Sequence, residues 1–194
     1  MKPYKIVTRK GDSGTTSTSD GQRIKKSTYA FRAVGKIDTL HAQLGVAYAT
    51  MLPDKKWKIV KETITKVLYS IMGELAATSY DTYREEFGTV GQIDIDFLET
   101  NIDVISKHLD DMNYEINGWV FYGTHNLVSA HLDLASKLCR EAELEACVIF
   151  DNTEGLIKKR QPNKNILKYL NRLSDYLFLL SRFYEQNDIQ QQSS

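Results

Sequence analysis

The run Thr8-Arg9-Lys10-Gly11-Asp12-Ser13-Gly14-Thr15-Thr16-Ser17-Thr18-Ser19-Asp20-Gly21 gathers glycine, hydroxyl and charged side chains with almost no apolar residue. Glycine at 11, 14 and 21 lets backbone N–H groups come close to an anion. Thr8, Thr15, Thr16 and Ser17 add hydroxyls, and Arg9, Lys10 and Lys26 add positive charge. That combination suits a triphosphate. The Walker spacing G-x-x-x-x-G-K-[ST] is absent and no strand precedes the segment, so it is not a P-loop of that kind. By composition alone, a solvated loop is the commoner use of such a stretch.

Three further groups carry polar residues on predicted helices. In Val34-Gly35-Lys36-Ile37-Asp38-Thr39-Leu40, Asp38 lies four residues after Val34 and six before Leu44, a spacing that sets it beside the apolar stripe. It reads either as a site acid or as an ordinary helix-surface acid. In Lys137-Leu138-Cys139-Arg140-Glu141-Ala142-Glu143-Leu144, Arg140 and Glu143 share a helix face, and an intrahelical ion pair worth a few tenths of a kcal/mol would account for them. In Tyr169-Leu170-Asn171-Arg172-Leu173-Ser174-Asp175-Tyr176-Leu177-Phe178, four polar residues interrupt a strongly apolar helix. Burying such groups without partners costs roughly 1 to 3 kcal/mol each, so this density marks a site or an interface.

The elements that must position these residues are helical. Phe31, Val34, Leu40, Leu44 and Ala47 predict a first helix over about 28–50, with Pro53 as a stop signal. Trp57, Val60, Ile64, Val67, Ile71 and Leu75 predict a second, and Ile95, Leu98, Ile102, Ile105 and Leu109 a third. Leu127, His131, Leu134, Leu138 and Ala142 set out a fourth; Ile166, Leu170, Leu173, Leu177, Leu180 and Tyr184 set out a fifth. The expected fold is an all-α five-helix bundle with an N-terminal phosphate-binding loop over 1–27, helices over 28–187 and a frayed tail over 188–194. Residues 79–92, with Tyr80, Tyr83 and Phe87, read as a packed or interface loop, and the polar stretch 151–164 with Gly155 and Pro162 as a connection. No pairing of strands into a sheet is expected.

With 194 residues, 42% of them hydrophobic, one domain with one sizeable core is the default. Twenty-five basic residues balance 25 acidic ones, so global charge favours neither nucleic acid nor a membrane surface, and any phosphate affinity must be local. Cys139 and Cys147 fall about two turns apart on one helix, too far for a disulfide. No long apolar run suggests a membrane span or a secretory leader, and a reducing cytoplasm is the expected location.

These segments, in this order, resemble the PduO-type ATP:cob(I)alamin adenosyltransferases over nearly the whole chain. The family's T-[RK]-x-G-D-x-G is met by Thr8-Arg9-Lys10-Gly11-Asp12-Ser13-Gly14, and its G-E-R-x-x-K by Gly21-Gln22-Arg23-Ile24-Lys25-Lys26. Its [YV]-G-x-x-D-E-L appears as Val34 to Leu40, its C-R-R-A-E-R as Cys139 to Leu144, and its N-R-L-S-D-Y-L-F intact as Asn171 to Phe178. The resemblance implies a homotrimer with active sites between subunits and a loop that wraps the triphosphate of ATP. Thr8, Arg9, Lys10, Gly11, Thr16, Ser17 and Lys26, with Arg140, Glu143 and Asn171, inherit nucleotide contacts. Asp38 and Arg140 match a pair that meets across the subunit boundary, and Trp119, Val120 and Phe121 fall where an apolar wall meets the corrinoid. The implied substrates are MgATP and reduced cobalamin, with no nucleic acid, no membrane and no metal held by the protein alone.

The chain also departs from the pattern. Glu141, Leu144 and Ser136 stand where the family has arginines, Gly123-Thr124-His125-Asn126 replaces a P-S-G-G-like turn, and His41 follows the D-T-L triplet. Losing one charged donor to a phosphate costs on the order of 2 to 4 kcal/mol of transition-state stabilisation. Two readings stay open: an adenosyltransferase in which Lys10, Lys25, Lys26 or Arg172 supplies the missing charge, or a non-catalytic trimer that binds ATP or a corrinoid as a sensor. A carboxylate-bridged metal bundle is disfavoured, because no Glu-x-x-His pair falls on a predicted helix and the four histidines are scattered.

Overall fold

A computed structural model describes residues 7–51, 55–115, 118–123, 126–151 and 162–193. In chain order the elements are β1 (Thr15–Ser17), β2 (Arg23–Lys25), α1 (Tyr29–Thr50), α2 (Lys55–Leu75), α3 (Tyr80–Phe87), α4 (Gln92–Asp111), α5 (Leu127–Asp151) and α6 (Asn165–Ser193). The five long helices are the ones that apolar spacing predicts. Pro53, Gly155, Thr124 and His125 lie outside the described residues.

Packing runs from helix to helix in the order α2, α1, α5, α6, α4. The core shows why α5 takes the middle. Its buried face is built from Ser129, Leu132, Ala135, Ser136, Cys139, Ala142, Ala146 and Ile149. These mostly small side chains let α1 and α6 approach on either side. Their partners are large: Ile37, Leu40 and Leu44 on α1, and Tyr169, Leu170, Leu173, Tyr176, Leu177 and Leu180 on α6. Each such large side chain, fully removed from water, contributes about 1.5 to 3 kcal/mol.

This arrangement corrects the stripe expected for α5. Of its expected members, Leu127 is 70% exposed and Leu134 49%, while Ala142 is buried. Large apolar type marked the wrong side of the helix, because close helix packing is carried here by alanine, serine and cysteine. Asp38 is likewise corrected: it is exposed on the outside of α1, not set beside the core.

The 79–92 connection contains α3, too short for a periodic signal. Ser79 caps it by accepting a hydrogen bond from the Thr82 backbone N–H, and Gly88 at φ 76° ends it. Gly73 on α2 makes room for it, since a Cβ there would lie 2.1 Å from the Tyr83 hydroxyl. Buried Glu74 then ties the region together, accepting from Arg84 at 2.8 Å, from Thr89 and from the Asn163 backbone N–H at 2.8 Å. α6 runs on to Ser193, through the segment expected to fray. Glutamine and serine are compatible with a helix already propagating through the preceding turns.

Candidate functional site

The N-terminal loop is shaped as an antiparallel ribbon, a small pairing that composition had hidden. Thr15 faces Lys25, Thr16 faces Ile24 and Ser17 faces Arg23. Arg23 organises it: its guanidinium donates to the Lys10 carbonyl and the Thr15 hydroxyl, and reaches the Ser17 hydroxyl at 3.3 Å. The ribbon tip is fastened to the bundle. Ser19 N–H donates to the Ala76 carbonyl at 3.0 Å, and Asp20 accepts from the Thr78 backbone N–H at 3.2 Å and from its hydroxyl. Burial pushes the Asp20 carboxyl up, but hydrogen bonds from Thr18 and Thr78 outweigh it and the net shift is downward.

Lys26 closes the other side of the loop. Its backbone N–H donates to the Gly14 carbonyl at 2.9 Å, while a Cβ on Gly11 would lie 2.9 Å from its ammonium. Glycine at 11 therefore lets the Lys26 side chain fold over the turn, and Gly14 supplies the left-handed backbone, φ 75°, that the turn requires. Arg9 also adopts a positive φ, 58°. Thr8, Arg9, Lys10, Ser17 and Lys26 are all exposed, and Gly11 and Thr16 partly so. The result is a surface turn ringed by cations with no carboxylate paired to them among the described residues.

The second half of the candidate site is the seam between α5 and α6. Asn171 lies beside the Glu143 carboxylate, and its Oδ1 accepts from Arg172 at 3.0 Å. Arg172 is held in turn by Glu99 of α4 at 2.9 Å. Burial raises the Glu143 carboxyl above the ordinary glutamate value; the Asn171 hydrogen bond and nearby Arg140 pull it back in part, and Asp175 pushes it up again. Arg140 is exposed and forms no ion pair at salt-bridge distance among the described residues. Beside this seam, Glu99, Ile102, Arg172, Asp175 and Phe178 line an open groove of about 500 Å³.

The structure thus gathers Arg140, Glu143 and Asn171, and separately gathers the loop residues. No described hydrogen bond or ion pair joins the two groups within one chain. Asp38 stands apart, exposed and without an ion-pair partner among the described residues. Trp119 and Phe121 are 94% and 78% exposed in the connection before α5, with Val120 partly covered.

Two of the three substituted arginine positions have local explanations. Glu141 pairs with Lys36 of α1 at 2.8 Å, beside a second cross-helix pair, Arg32 with Glu145 at 2.7 Å. Ser136 is buried and donates to the Ser174 carbonyl at 3.0 Å, so that position packs helix on helix. Arg172, offered as a source of missing charge, is already engaged by Glu99 and Asn171, which leaves Lys10, Lys25 and Lys26 in that role. Sequence reasoning passed over Arg23, although it is the arginine of Gly21-Gln22-Arg23-Ile24-Lys25-Lys26, and over Asp20 as an anchor.

The sequence matches the family model described as cobalamin adenosyltransferase over residues 6–184. The chain belongs to that family. Among curated relatives of the family, a corrinoid adenosyltransferase of Citrobacter freundii is 33% identical, covering 94% of this chain and 96% of its own. One from Mycobacterium leprae is 33% identical over 92% of this chain and 90% of its own, and the Homo sapiens corrinoid adenosyltransferase MMAB is 30% identical over 92% and 68%. A variant PduO-type ATP:corrinoid adenosyltransferase from Lactobacillus reuteri, solved with cobalamin and ATP, superposes with TM-score 0.79 at 24% identity, covering 93% of each chain. That likeness establishes the adenosyltransferase fold for this chain.

Proposed function

We propose that this protein transfers the 5′-deoxyadenosyl group of ATP to the cobalt of a reduced corrinoid. The observation that carries the reading is the ring of unpaired cations over the Gly11–Gly14 turn, in a chain of this family, facing solvent as a triphosphate cradle. In the reaction, Co(I) attacks the ribose C5′, a Co–C bond forms, the C5′–O bond breaks and triphosphate leaves with the electron pair. Negative charge grows on the departing oxygen. Lys10, Lys26, the loop N–H groups and Arg140 are the groups assigned to stabilise it. No proton is abstracted, so no general base is required. Magnesium accompanies the triphosphate as a substrate ion, and Asp12 is the loop carboxylate assigned to meet it, since Asp20 is committed to Thr78.

The loop and the α5/α6 seam act together when they belong to adjacent subunits of a homotrimer. Three features support this arrangement: the absence of described bonds between them in one chain, the unpaired Asp38 and Arg140, and the outward-facing Val46, Leu134 and Leu144. Asn171 and Glu143 then read the nucleotide from the neighbouring protomer. A cytoplasmic location fits this chemistry, and among the described residues no helix is long and apolar enough to cross a membrane.

A second reading is favoured by one observation: Glu141 is committed to Lys36 and Leu144 is apolar, so the seam carries fewer cations than the family pattern. In that case the trimer binds ATP or a corrinoid without transfer. Purified protein given MgATP and chemically reduced cobalamin separates the two. Loss of cob(I)alamin absorbance with appearance of adenosylcobalamin supports transfer; ATP binding with no product above the protein-free blank leaves only the sensor.

A further inference from the structure

Lys137, one turn before Arg140 on α5, has no carboxylate at salt-bridge distance among the described residues. Its ammonium lies 4.7 Å from the centroid of the Tyr122 ring and 5.5 Å from that of Phe178. Tyr122 belongs to the connection that carries exposed Trp119 and Phe121, while Phe178 lines the groove beside the α5/α6 seam. Phe178 is itself anchored from below: the guanidinium of buried Arg182 sits 5.5 Å from its ring. Lys137 therefore joins a surface segment to a half-buried ring on α6.

Cation–π attraction is strongest when the cation is partly desolvated and lacks a competing anion. Lys137 is partly buried and meets both conditions. The segment it holds presents two large apolar surfaces to water, the kind of patch that marks a binding face. A corrin ring is broad, flat and largely apolar on its faces, and such a partner needs aromatic surfaces held in place beforehand so that little ordering remains on binding.

We infer that Lys137 is a positioning residue that latches the 118–123 segment, through Tyr122, to Phe178, and so sets the affinity for the corrinoid while leaving that for ATP alone. The inference rests on the proposed transferase reading for its ligand, but the latch itself has a readout that needs no turnover.

In a Trp57→Phe background, Trp119 is the sole tryptophan, and its time-resolved anisotropy reports local motion of the segment. Lys137→Met keeps the length of the side chain and removes its charge. It should increase the amplitude of the fast anisotropy component, and Lys137→Arg should restore it. Tyr122→Leu should mimic Lys137→Met, and the double variant should be no worse than either single one. In steady-state assays, Lys137→Met should raise KM for the corrinoid about five- to tenfold, with KM for ATP and kcat within twofold. Unchanged Trp119 anisotropy in Lys137→Met, or an equal defect in Lys137→Arg, overturns the latch. If the wild-type protein proves inactive, the anisotropy series still decides the latch, and equilibrium binding of cobalamin to the same variants replaces KM.

Discussion

The two ends of the α5/α6 seam use the same kinds of side chain and reach opposite outcomes. At one end, Arg182 is 2% exposed, pairs with Asp133 at 2.6 Å and with Glu185, and shares Asp133 with Ser181, which donates at 2.6 Å. Every charge there is answered within the chain. At the other end, Arg140 is exposed with no salt-bridge partner among the described residues, Glu143 has Asn171 and, at longer range, Arg140 beside it, and the neighbouring groove between α4 and α6 stands open. The closed end stabilises the bundle. Charge left over at the open end is what remains for a ligand or a neighbouring subunit.

The comparison predicts a graded set of effects. Arg182→Met leaves two buried carboxylates without their cation, and should cost about 3 to 5 kcal/mol in chemical denaturation. Nucleotide affinity of the molecules that remain folded should be unchanged. At the proposed site, Lys26→Ala and Asn171→Ala should each weaken ATP binding roughly tenfold or more in calorimetric titration, since hydrogen bonds to charged groups are worth about 1.5 to 3 kcal/mol. The helical circular-dichroism signal and oligomer size should stay intact. Equal nucleotide affinity in both variants and wild type would remove the proposed cradle.

Glu143 offers a pH test of intermediate size. Its carboxyl is raised in the folded protein, so folding takes up a proton between the ordinary glutamate value and the raised one. Its contribution to stability is therefore fully present at the acid side of that window and is lost as pH rises through it. Glu143→Gln should flatten this part of the stability–pH curve. Asp20 has the opposite sign: its contribution is present above the ordinary aspartate value and is lost as pH falls through its lowered one. The smallest effect belongs to Glu141→Ala, which breaks a solvent-screened pair with Lys36 and should leave the denaturation midpoint nearly unchanged at physiological salt.

Much of this was legible beforehand, for identifiable reasons. Five helices were readable because each is long enough for three or more apolar repeats, whereas the eight residues of α3 are not. The ribbon was hidden because its strands, Thr-Thr-Ser and Arg-Ile-Lys, are too short to show an alternating pattern, and its geometry depends on Arg23 reaching across it. Leu127 and Leu134 misled because a helix squeezed between two others buries its small residues. Order and spacing of the motifs named Arg140, Glu143 and Asn171 together, and the fold makes them neighbours. On the proposed trimer, what Asp38 and Arg140 face belongs to a second protomer, which one chain's periodicity does not encode.

The central claim is that the loop of one protomer completes the seam of the next. Mixing Lys26→Ala with Asn171→Ala subunits under conditions that exchange trimer partners tests it at subsaturating ATP. If loop and seam come from different chains, random mixing rebuilds intact sites at about one interface in four, and activity should rise toward about a quarter of wild type. If both belong to the same chain, every site in the mixture still carries one defect, and activity that stays at the level of the parent variants contradicts the account.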